Sequence, residues 1–259
     1  MILCLVACSP KAHHLVIIHA NDTHSHLDAM RSGEGGVIER AAFIDSVRNA
    51  EGGKNVLLLH AGDFNQGSPY YTILGGELET DLVNALGYDC VALGNHEFDN
   101  GIEHLSARVA RLKCKVICAN YDFSPFELGK YVTPYAVFER GGYKIGVIGL
   151  LCDIKKVVSS QTADRIPRVE GTDAEIVNKW AAYLRETEHC DLVIALTHIG
   201  YQEDMALVPS LHGVNAIVGG HSHTHIAEPA YVKDADGKVV PVVTDWCWGR
   251  TMGLLKIDG

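Results

Sequence analysis

Short runs of apolar residues, many of them β-branched, recur along the chain, and polar residues and glycines follow the runs. Five of these runs are residues 15–18, 56–59, 91–93, 192–196 and 216–218. Runs that are apolar at every position are typical of strands buried on both faces of a sheet. Because such sheets place their ligand crevice at the carboxyl ends of the strands, we expect the polar segments after the five runs to meet in one place.

Segments with helical periodicity alternate with these strands. They predict helices around residues 37–50, 78–86, 102–112 and 173–188, and further strands at 115–119, 143–150 and 253–257. Residues 230–233 and 238–243 flank the turn 234–237 and predict a hairpin. The polar segment 154–173 predicts a long surface loop or a short irregular helix. This order of strands and helices predicts an α/β fold in which two sheets pack face to face between helices.

Length and composition fit one large domain. With 259 residues and 47% hydrophobic content, the chain can bury a substantial core. No stretch approaches the ~18–20 apolar residues of a transmembrane helix. We expect no nucleic acid polymer among the partners of the chain.

The polar segments after the five strands contain seven residues whose side chains bind metal ions. They are Asp22, His24, Asp63, Asn95, His198, His221 and His223. Their oxygen and nitrogen atoms suit hard and borderline divalent ions. Seven ligands are too many for one tetrahedral ion, but they suit two ions about 3.5–4 Å apart that share a carboxylate. Enzymes that catalyse in-line displacement at phosphorus use such a pair of ions. Because two carboxylates cancel only part of the charge of two divalent ions, such a centre would attract a phosphate despite the net charge of −10.

Two longer motifs carry a family resemblance. Gly-Asn-His-Glu-Phe-Asp-Asn-Gly at residues 94–101 and Gly-Gly-His-Ser-His-Thr at residues 219–224 resemble the metallophosphoesterase domain of the 5′-nucleotidase, UDP-sugar hydrolase and 2′,3′-cyclic nucleotide phosphodiesterase family, which is calcineurin-like. The resemblance covers the chain from about residue 15 to residue 258. It implies that residues 14–259 form a catalytic domain with a four-layer α/β/β/α sandwich of two mixed sheets flanked by helices.

The resemblance also implies a role for each site residue. One ion would be held by Asp22, His24, Asp63 and His223, and the second by Asp63, Asn95, His198 and His221, so that Asp63 bridges the two. His96 resembles the catalytic histidine beside the phosphoryl group, and Asp99 resembles the aspartate that orients it. Two divalent metal ions are therefore the expected cofactors, with Zn or Mn favoured and Mg, Co, Fe or Ca left open.

The expected reaction is that of a 5′-nucleotidase, in which a metal-bridging hydroxide converts a nucleoside 5′-monophosphate into nucleoside and phosphate. Nucleotides and other phosphate esters are thus the expected substrates. A 2′,3′-cyclic nucleotide phosphodiesterase and a UDP-sugar diphosphatase remain open. A non-catalytic lipoprotein that binds metal or nucleotide is a further alternative, and the intact His96 and Asp99 argue against it.

Structural interpretations compete with these roles. Asp63 and Asn95 lie beside glycines and could be turn formers. Asp99 or Asn100 could be the N-cap of the helix that begins near residue 102. The joint occurrence of the motifs at five strand ends favours the metal interpretation. His19 and His60 are predicted to orient the ligands, whereas the histidines at positions 26 and 225 are predicted to lie at the rim of the site.

The ends of the sequence carry two further expectations. Leu5-Val6-Ala7-Cys8 resembles a bacterial lipobox, so residues 1–13 would be a partial lipoprotein signal and tether, with lipid on Cys8 as the only membrane contact. This predicts the bacterial periplasm or cell envelope, and a truncated or misannotated start. The carboxy-terminal nucleoside-binding domain of full-length family members is expected to be absent, so either a separate polypeptide supplies it or the chain accepts many phosphate esters.

Overall fold

The structure is a computed structural model that describes residues 13–259. The lipobox and Cys8 lie outside the described residues. The strands are β1 (His14–Ala20), β2 (Val56–His60), β3 (Cys90–Ala92), β4 (Lys115–Ile117), β5 (Val132–Thr133), β6 (Tyr135–Arg140), β7 (Tyr143–Leu151), β8 (Leu192–His198), β9 (Ala216–Gly219), β10 (Ala230–Lys233), β11 (Val239–Thr244) and β12 (Gly253–Asp258). The helices are α1 (Val37–Glu51), α2 (Pro69–Leu74), α3 (Glu77–Leu86), α4 (Ile102–Val109), α5 (Ser160–Ala163), α6 (Asp173–Glu186) and α7 (Tyr201–Leu207).

The strands form two mixed sheets of six strands each. The first has the order β12-β1-β2-β3-β4-β5, and the second has the order β10-β11-β9-β8-β7-β6. Strands β1 to β5 are parallel, and β12 is antiparallel to β1. In the second sheet β7, β8, β9 and β11 are parallel, while β6 and β10 pair antiparallel at the two edges. The carboxyl ends of most strands in each sheet therefore lie at one edge.

Alternate residues of β1 explain why its central run, residues 15–18, is apolar at every position. Leu15 and Ile17 belong to a buried cluster that also contains Ile194 of β8, so they pack between the two sheets. Val16 packs with Ile44 of α1 in a second cluster, which also includes residues of α3 and α4 and covers the outer face of the first sheet. A third cluster joins α6 to the outer face of the second sheet. The predicted four-layer sandwich is confirmed.

The predicted elements agree with the observed ones apart from their ends and a few short pieces. The hairpin is confirmed as β10 and β11, and β11 continues the second sheet by pairing parallel with β9. Segment 154–173 was predicted as a surface loop or short irregular helix, and it contains the short helix α5. However, Ile154, Ala163 and Ile166 are buried in the core, so this segment is not a surface loop throughout. Within residues 13–259, no helix is both long and apolar enough to cross a membrane.

Candidate metal centre

The five polar segments lie at the carboxyl ends of β1, β2 and β3 in the first sheet and of β8 and β9 in the second. Backbone hydrogen bonds join the first two segments, since the N–H of Asp22 donates to the carbonyl of Gly62 at 3.0 Å and the N–H of His24 donates to the carbonyl of Asp63 at 3.0 Å. The N–H of His221 donates to Oδ2 of Asp22 at 2.8 Å, which joins the second sheet to the first. The arrangement of the two sheets thus brings the predicted residues together.

Left-handed backbone conformations are concentrated in these segments. Five of the seven predicted ligands have positive φ angles: Asp22 (48°), His24 (46°), Asp63 (56°), His221 (79°) and His223 (52°). Residues other than glycine rarely adopt this region, and each such conformation costs on the order of 1–3 kcal/mol. Backbone strain concentrated in residues whose polar side chains converge is typical of a functional site.

The described side chains form three groups of ligand atoms. One combines His24 and Asp63 with His96, and the other two, which we call the two clusters, consist of predicted metal ligands alone. One cluster combines Asp22, His24 and His223, with Nε2 of His223 3.3 Å from Oδ1 of Asp22 and 2.9 Å from Nε2 of His24. The other combines Asp63, His198 and His221, with Nε2 of His198 3.0 Å from Oδ2 of Asp63. Because Oδ2 of Asp63 also lies 3.9 Å from Nε2 of His24, its carboxylate lies between the two clusters.

Hydrogen bonds on the far side of two rings orient them toward the clusters. Nδ1 of His198 donates to the carbonyl of Ala61 at 2.6 Å, and Nδ1 of His24 donates to the carbonyl of Asn65 at 3.3 Å. A ring with its proton on Nδ1 presents the lone pair of Nε2, which is the form that binds a metal ion. The backbone carbonyls therefore hold both rings in the form that a metal ion requires.

Within residues 13–259, two buried atoms at the centre lie close to other ligand atoms but form no hydrogen bond of suitable geometry. They are Oδ1 of Asp22 and Nε2 of His198, and both point into the clusters. Burial lowers the pKa of His198, but the carboxylates of Asp63 and Asp22 outweigh it and raise the pKa to about 10. Unpaired buried polar atoms are costly, and the buried carboxylates favour positive charge at this point. The donor set and its charge therefore fit divalent cations.

Of the remaining predicted residues, Asn95 and His96 line the cleft at these clusters, and Asp99 contacts His96. The side chain of Asn95 is buried there, and its Oδ1 accepts a weak hydrogen bond from Sγ of Cys152 at 3.8 Å. The N–H of His96 donates to Oδ1 of Asp63 at 2.8 Å, and Nδ1 of His96 donates to Oδ2 of Asp99 at 2.9 Å. The hydrogen bond that His96 donates to Asp99 is the main cause that raises the pKa of His96 to about 9.

The alternative role of Asp99 as a helix cap is wrong. Gly101 occupies the N-cap of α4, which has no side-chain cap. Asn100 does not cap the helix either, because its Nδ2 donates to the hydroxyl of Tyr71 at 3.0 Å. Asp99 is therefore free to pair with His96.

The other histidines near the strand ends agree only in part with the positions predicted for them. Nε2 of His60 contacts the hydroxyl of Thr23 at 3.2 Å, so its hydrogen bond goes to a residue between two ligands and not to a ligand. His19 is buried, and its Nδ1 has no hydrogen-bond partner among the residues that the structure describes. His26 lines the cleft, as predicted for a rim residue. His225 stacks on Trp246, with ring centroids 4.7 Å apart.

Sequence reasoning missed the part played by Glu97. Its fully buried carboxylate accepts hydrogen bonds from the backbone N–H groups of Asp63, Phe64, Asn65 and Gly94, at 2.8, 3.1, 3.3 and 2.6 Å. Gly94 allows the two loops to come this close, since a Cβ at this position would collide with Oδ1 of Asp63. Glu97 thus fixes the loop after β2 against the loop after β3. The position of this glutamate within the motif of residues 94–101 was the available signal.

Comparison with known proteins agrees with this geometry. The family model of the calcineurin-like phosphoesterases matches residues 15–225. The chain belongs to this family. The residues that the model matches include both six-stranded sheets in large part and all seven predicted ligands.

Curated relatives include two 5′-nucleotidases. That of Rattus norvegicus is 32% identical over 277 residues, which cover 96% of this chain and 47% of the relative. The snake venom 5′-nucleotidase of Naja atra is 33% identical over 270 residues, which cover 94% of this chain and 50% of the relative. The chain spans about half the length of the curated relatives it matches.

Solved structures give the same picture. The 5′-nucleotidase precursor from Thermus thermophilus matches with a TM-score of 0.85 and 35% identity, covering 94% of this chain and 51% of that one. The NAD nucleotidase from Haemophilus influenzae matches with a TM-score of 0.84 and 29% identity, covering 96% of this chain and 48% of that one. Both matches extend over nearly the whole of this chain.

Proposed function

We propose that the chain is a phosphoester hydrolase of the 5′-nucleotidase type, which uses two divalent metal ions to convert nucleoside 5′-monophosphates into nucleoside and phosphate. The observation that carries this proposal is the position of the Asp63 carboxylate between two clusters of ligand atoms. The names of the relatives at about 30% identity support the same reaction. The alternatives, a cyclic nucleotide phosphodiesterase and a UDP-sugar diphosphatase, would use the same centre.

The metal ligands in this proposal are those that the motifs predicted. Asp22, His24, Asp63 and His223 hold one ion, and Asp63, Asn95, His198 and His221 hold the other. Two divalent ions held there would supply Lewis acidity at the phosphoryl group and activate water. Zn and Mn are the ions that a mixed set of imidazole and carboxylate ligands suits well.

His96 acts on the substrate through its second ring nitrogen. Its Nδ1 is engaged by Asp99, so Nε2 is the atom that remains for the cleft. A protonated His96 donates a hydrogen bond to the phosphoryl or leaving oxygen and stabilises the negative charge that develops there. Asp99 holds the ring in the orientation that this requires.

A substrate panel tests the proposal. The purified chain with added Mn²⁺ or Zn²⁺ is assayed for product release from AMP, CMP, an aryl phosphate, UDP-glucose and 2′,3′-cyclic AMP. The proposal predicts hydrolysis of the monoesters, with little discrimination between AMP and CMP. Preferred hydrolysis of 2′,3′-cyclic AMP or UDP-glucose would replace it with the corresponding alternative. Binding without turnover of any compound would favour the non-catalytic alternative.

The location of the chain is a separate proposal, which the Leu5-Val6-Ala7-Cys8 run supports. Cys8 carries a lipid that anchors the chain in the bacterial cell envelope, facing the periplasm. Metabolic labelling with a radioactive fatty acid tests this. Label is expected on the wild type and absent from the Cys8→Ala variant, whereas equal labelling of both would exclude Cys8 as the anchor.

A further inference from the structure

Two exposed apolar side chains lie at the rim of the candidate metal centre. The cleft has a volume of about 580 Å³, and the predicted ligands and His96 form part of its lining. Trp248 and Val157 line the same cleft and are 38% and 45% exposed. Apolar and aromatic side chains beside a few convergent polar groups are typical of the lining of a ligand-binding cleft.

The loop that carries Trp248 is fixed to the metal centre. The N–H of Trp248 donates to the carbonyl of Asp22 at 2.6 Å. The side chain of Asn21 donates to the carbonyl of Trp246 at 2.8 Å and accepts from the N–H of Asp245 at 2.7 Å. Trp248 also has a φ of 63°, an outlier for a bulky residue. The position of the ring is therefore defined relative to the ligands.

The ring of Trp248 has a stacked partner within the cleft. His26 stacks on it with ring centroids 5.1 Å apart and an interplanar angle of 20°. Nδ1 of His26 donates to the carbonyl of His24 at 2.8 Å, which holds the imidazole in place. Trp246 differs, because the guanidinium of Arg250 lies 3.9 Å from its ring centroid and His225 stacks on it. Trp248 is thus the tryptophan of this loop that is available to a ligand.

We propose that Trp248, supported by His26 and with Val157 at the same rim, stacks on a planar aromatic ring within the leaving group of the substrate, either the base of a nucleoside or an aryl ring. This inference rests on the proposed function, because it places the phosphate of the same molecule at the metal centre. Stacking on an aromatic ring uses the π-face that every base has, so it favours aromatic esters without selecting one base. The cleft therefore prefers aromatic over sugar phosphates and accepts purines and pyrimidines alike.

Two substitutions of Trp248 distinguish the effect of losing the aromatic ring from the effect of disturbing the backbone. Trp248→Gly removes the ring and tolerates the left-handed φ of 63°, so it is compatible with the fold. Trp248→Phe keeps an aromatic face. Trp180→Phe is the matched control, because Trp180 lies on α6 and lines a different cavity. The substrates are AMP, an aryl phosphate, and ribose 5-phosphate, which has the sugar phosphate of AMP without the base.

Kinetics give the first readout. Trp248→Gly should raise KM for AMP about tenfold, within the range of base–aromatic stacking, and leave kcat and the KM for ribose 5-phosphate unchanged. Trp248→Phe and Trp180→Phe should retain the wild-type KM. A rise for AMP alone assigns the ring to the nucleobase, and a rise for the aryl phosphate alone assigns it to an aryl ring. Unchanged KM values for both aromatic esters, or an equal rise for ribose 5-phosphate, would overturn the proposal.

Tryptophan fluorescence gives a readout that does not depend on hydrolysis. Adenosine should quench the emission of the wild type and of Trp180→Phe, and it should fail to quench Trp248→Phe. Quenching that persists in Trp248→Phe would overturn the proposal even if Trp248→Gly does not fold. If the wild type hydrolyses none of the esters, the proposed function fails, and the loss of quenching in Trp248→Phe still decides whether this ring binds an aromatic group.

Discussion

Oδ2 of Asp63 lies 3.0 Å from Nε2 of His198, and this contact joins the two sheets at the candidate metal centre. Asp63 follows β2 of the first sheet, and His198 is the last residue of β8 in the second. Both side chains are almost completely buried. Because neither atom can be hydrated there, the pair requires positive charge between the sheets, either a proton on the imidazole or a metal ion.

His96→Ala tests the separation of chemistry from metal binding. The imidazole stabilises charge on the substrate and does not belong to the proposed ligands, so kcat should fall about 10²–10⁴-fold while the metal content stays the same. Steady-state kinetics and metal analysis by mass spectrometry measure both quantities. His212→Ala is the control, since His212 forms a comparable pair with Asp236 on the surface. Wild-type turnover of the His96→Ala protein would remove His96 from the mechanism.

Glu97→Gln tests whether Glu97 positions the two loops. An amide has one acceptor oxygen, and its NH₂ group would face backbone N–H groups that now donate to the carboxylate. Each buried donor left without a partner costs about 1–3 kcal/mol, so both the melting temperature and the metal affinity should fall. Thermal unfolding and metal titration measure these effects. Glu127→Gln, an exposed site paired with Lys130, should change neither. Normal metal affinity and stability in the Glu97→Gln protein would show that the hydrogen bonds to its carboxylate are dispensable.

The burial of Asp204 predicts that the stability of the fold depends on pH. Burial raises the pKa of Asp204 from its ordinary value of 3.8 to about 8, and its Oδ1 accepts from the hydroxyl of Thr197 at 2.7 Å. Because the folded-state pKa is raised, the neutral carboxyl is fully stabilising below about pH 4, and this stability is lost as pH rises through about 8. Asp204→Asn keeps a neutral side chain at every pH.

The melting temperature of Asp204→Asn relative to the wild type should therefore increase between pH 5 and pH 9. Both proteins are measured by thermal unfolding at the same metal concentration, so that the difference isolates this residue. Asp236→Asn, at an exposed position, is the control for the loss of one carboxylate. A difference between Asp204→Asn and wild type that is independent of pH would contradict a buried, neutral Asp204.

The strands that carry the site could be predicted because each is apolar on both faces and ends in a short polar motif. The hairpin could also be predicted, because Asp236 and Gly237 mark the turn between its two strands. Short elements such as β5 and α2 could not be predicted, because they have two and six residues, without a continuous apolar run or an established period. The buried positions within segment 154–173 were missed because the segment is polar on average and is buried only at scattered apolar residues.

The site residues were predicted as a set, whereas their conformations were not. Nothing in the sequence indicates the left-handed φ angles of Asp22 or Asp63, which depend on the packing of two loops. The contact of Trp248 with the carbonyl of Asp22 joins residues more than 200 positions apart, and no local pattern marks it. Glu97 could be recognised as buried only when its backbone partners were seen. The metal roles remain predictions that these contacts support.

Metal analysis of the Asp63→Ala protein tests the central claim most directly. Because the Asp63 carboxylate lies between both clusters, its removal should release both ions and abolish turnover, while His223→Ala should weaken mainly one site. We expect mass spectrometry to find two divalent ions per wild-type chain, about one in His223→Ala and close to none in Asp63→Ala at matched metal concentrations. Two fully bound ions in the Asp63→Ala protein would contradict a bridging role for Asp63.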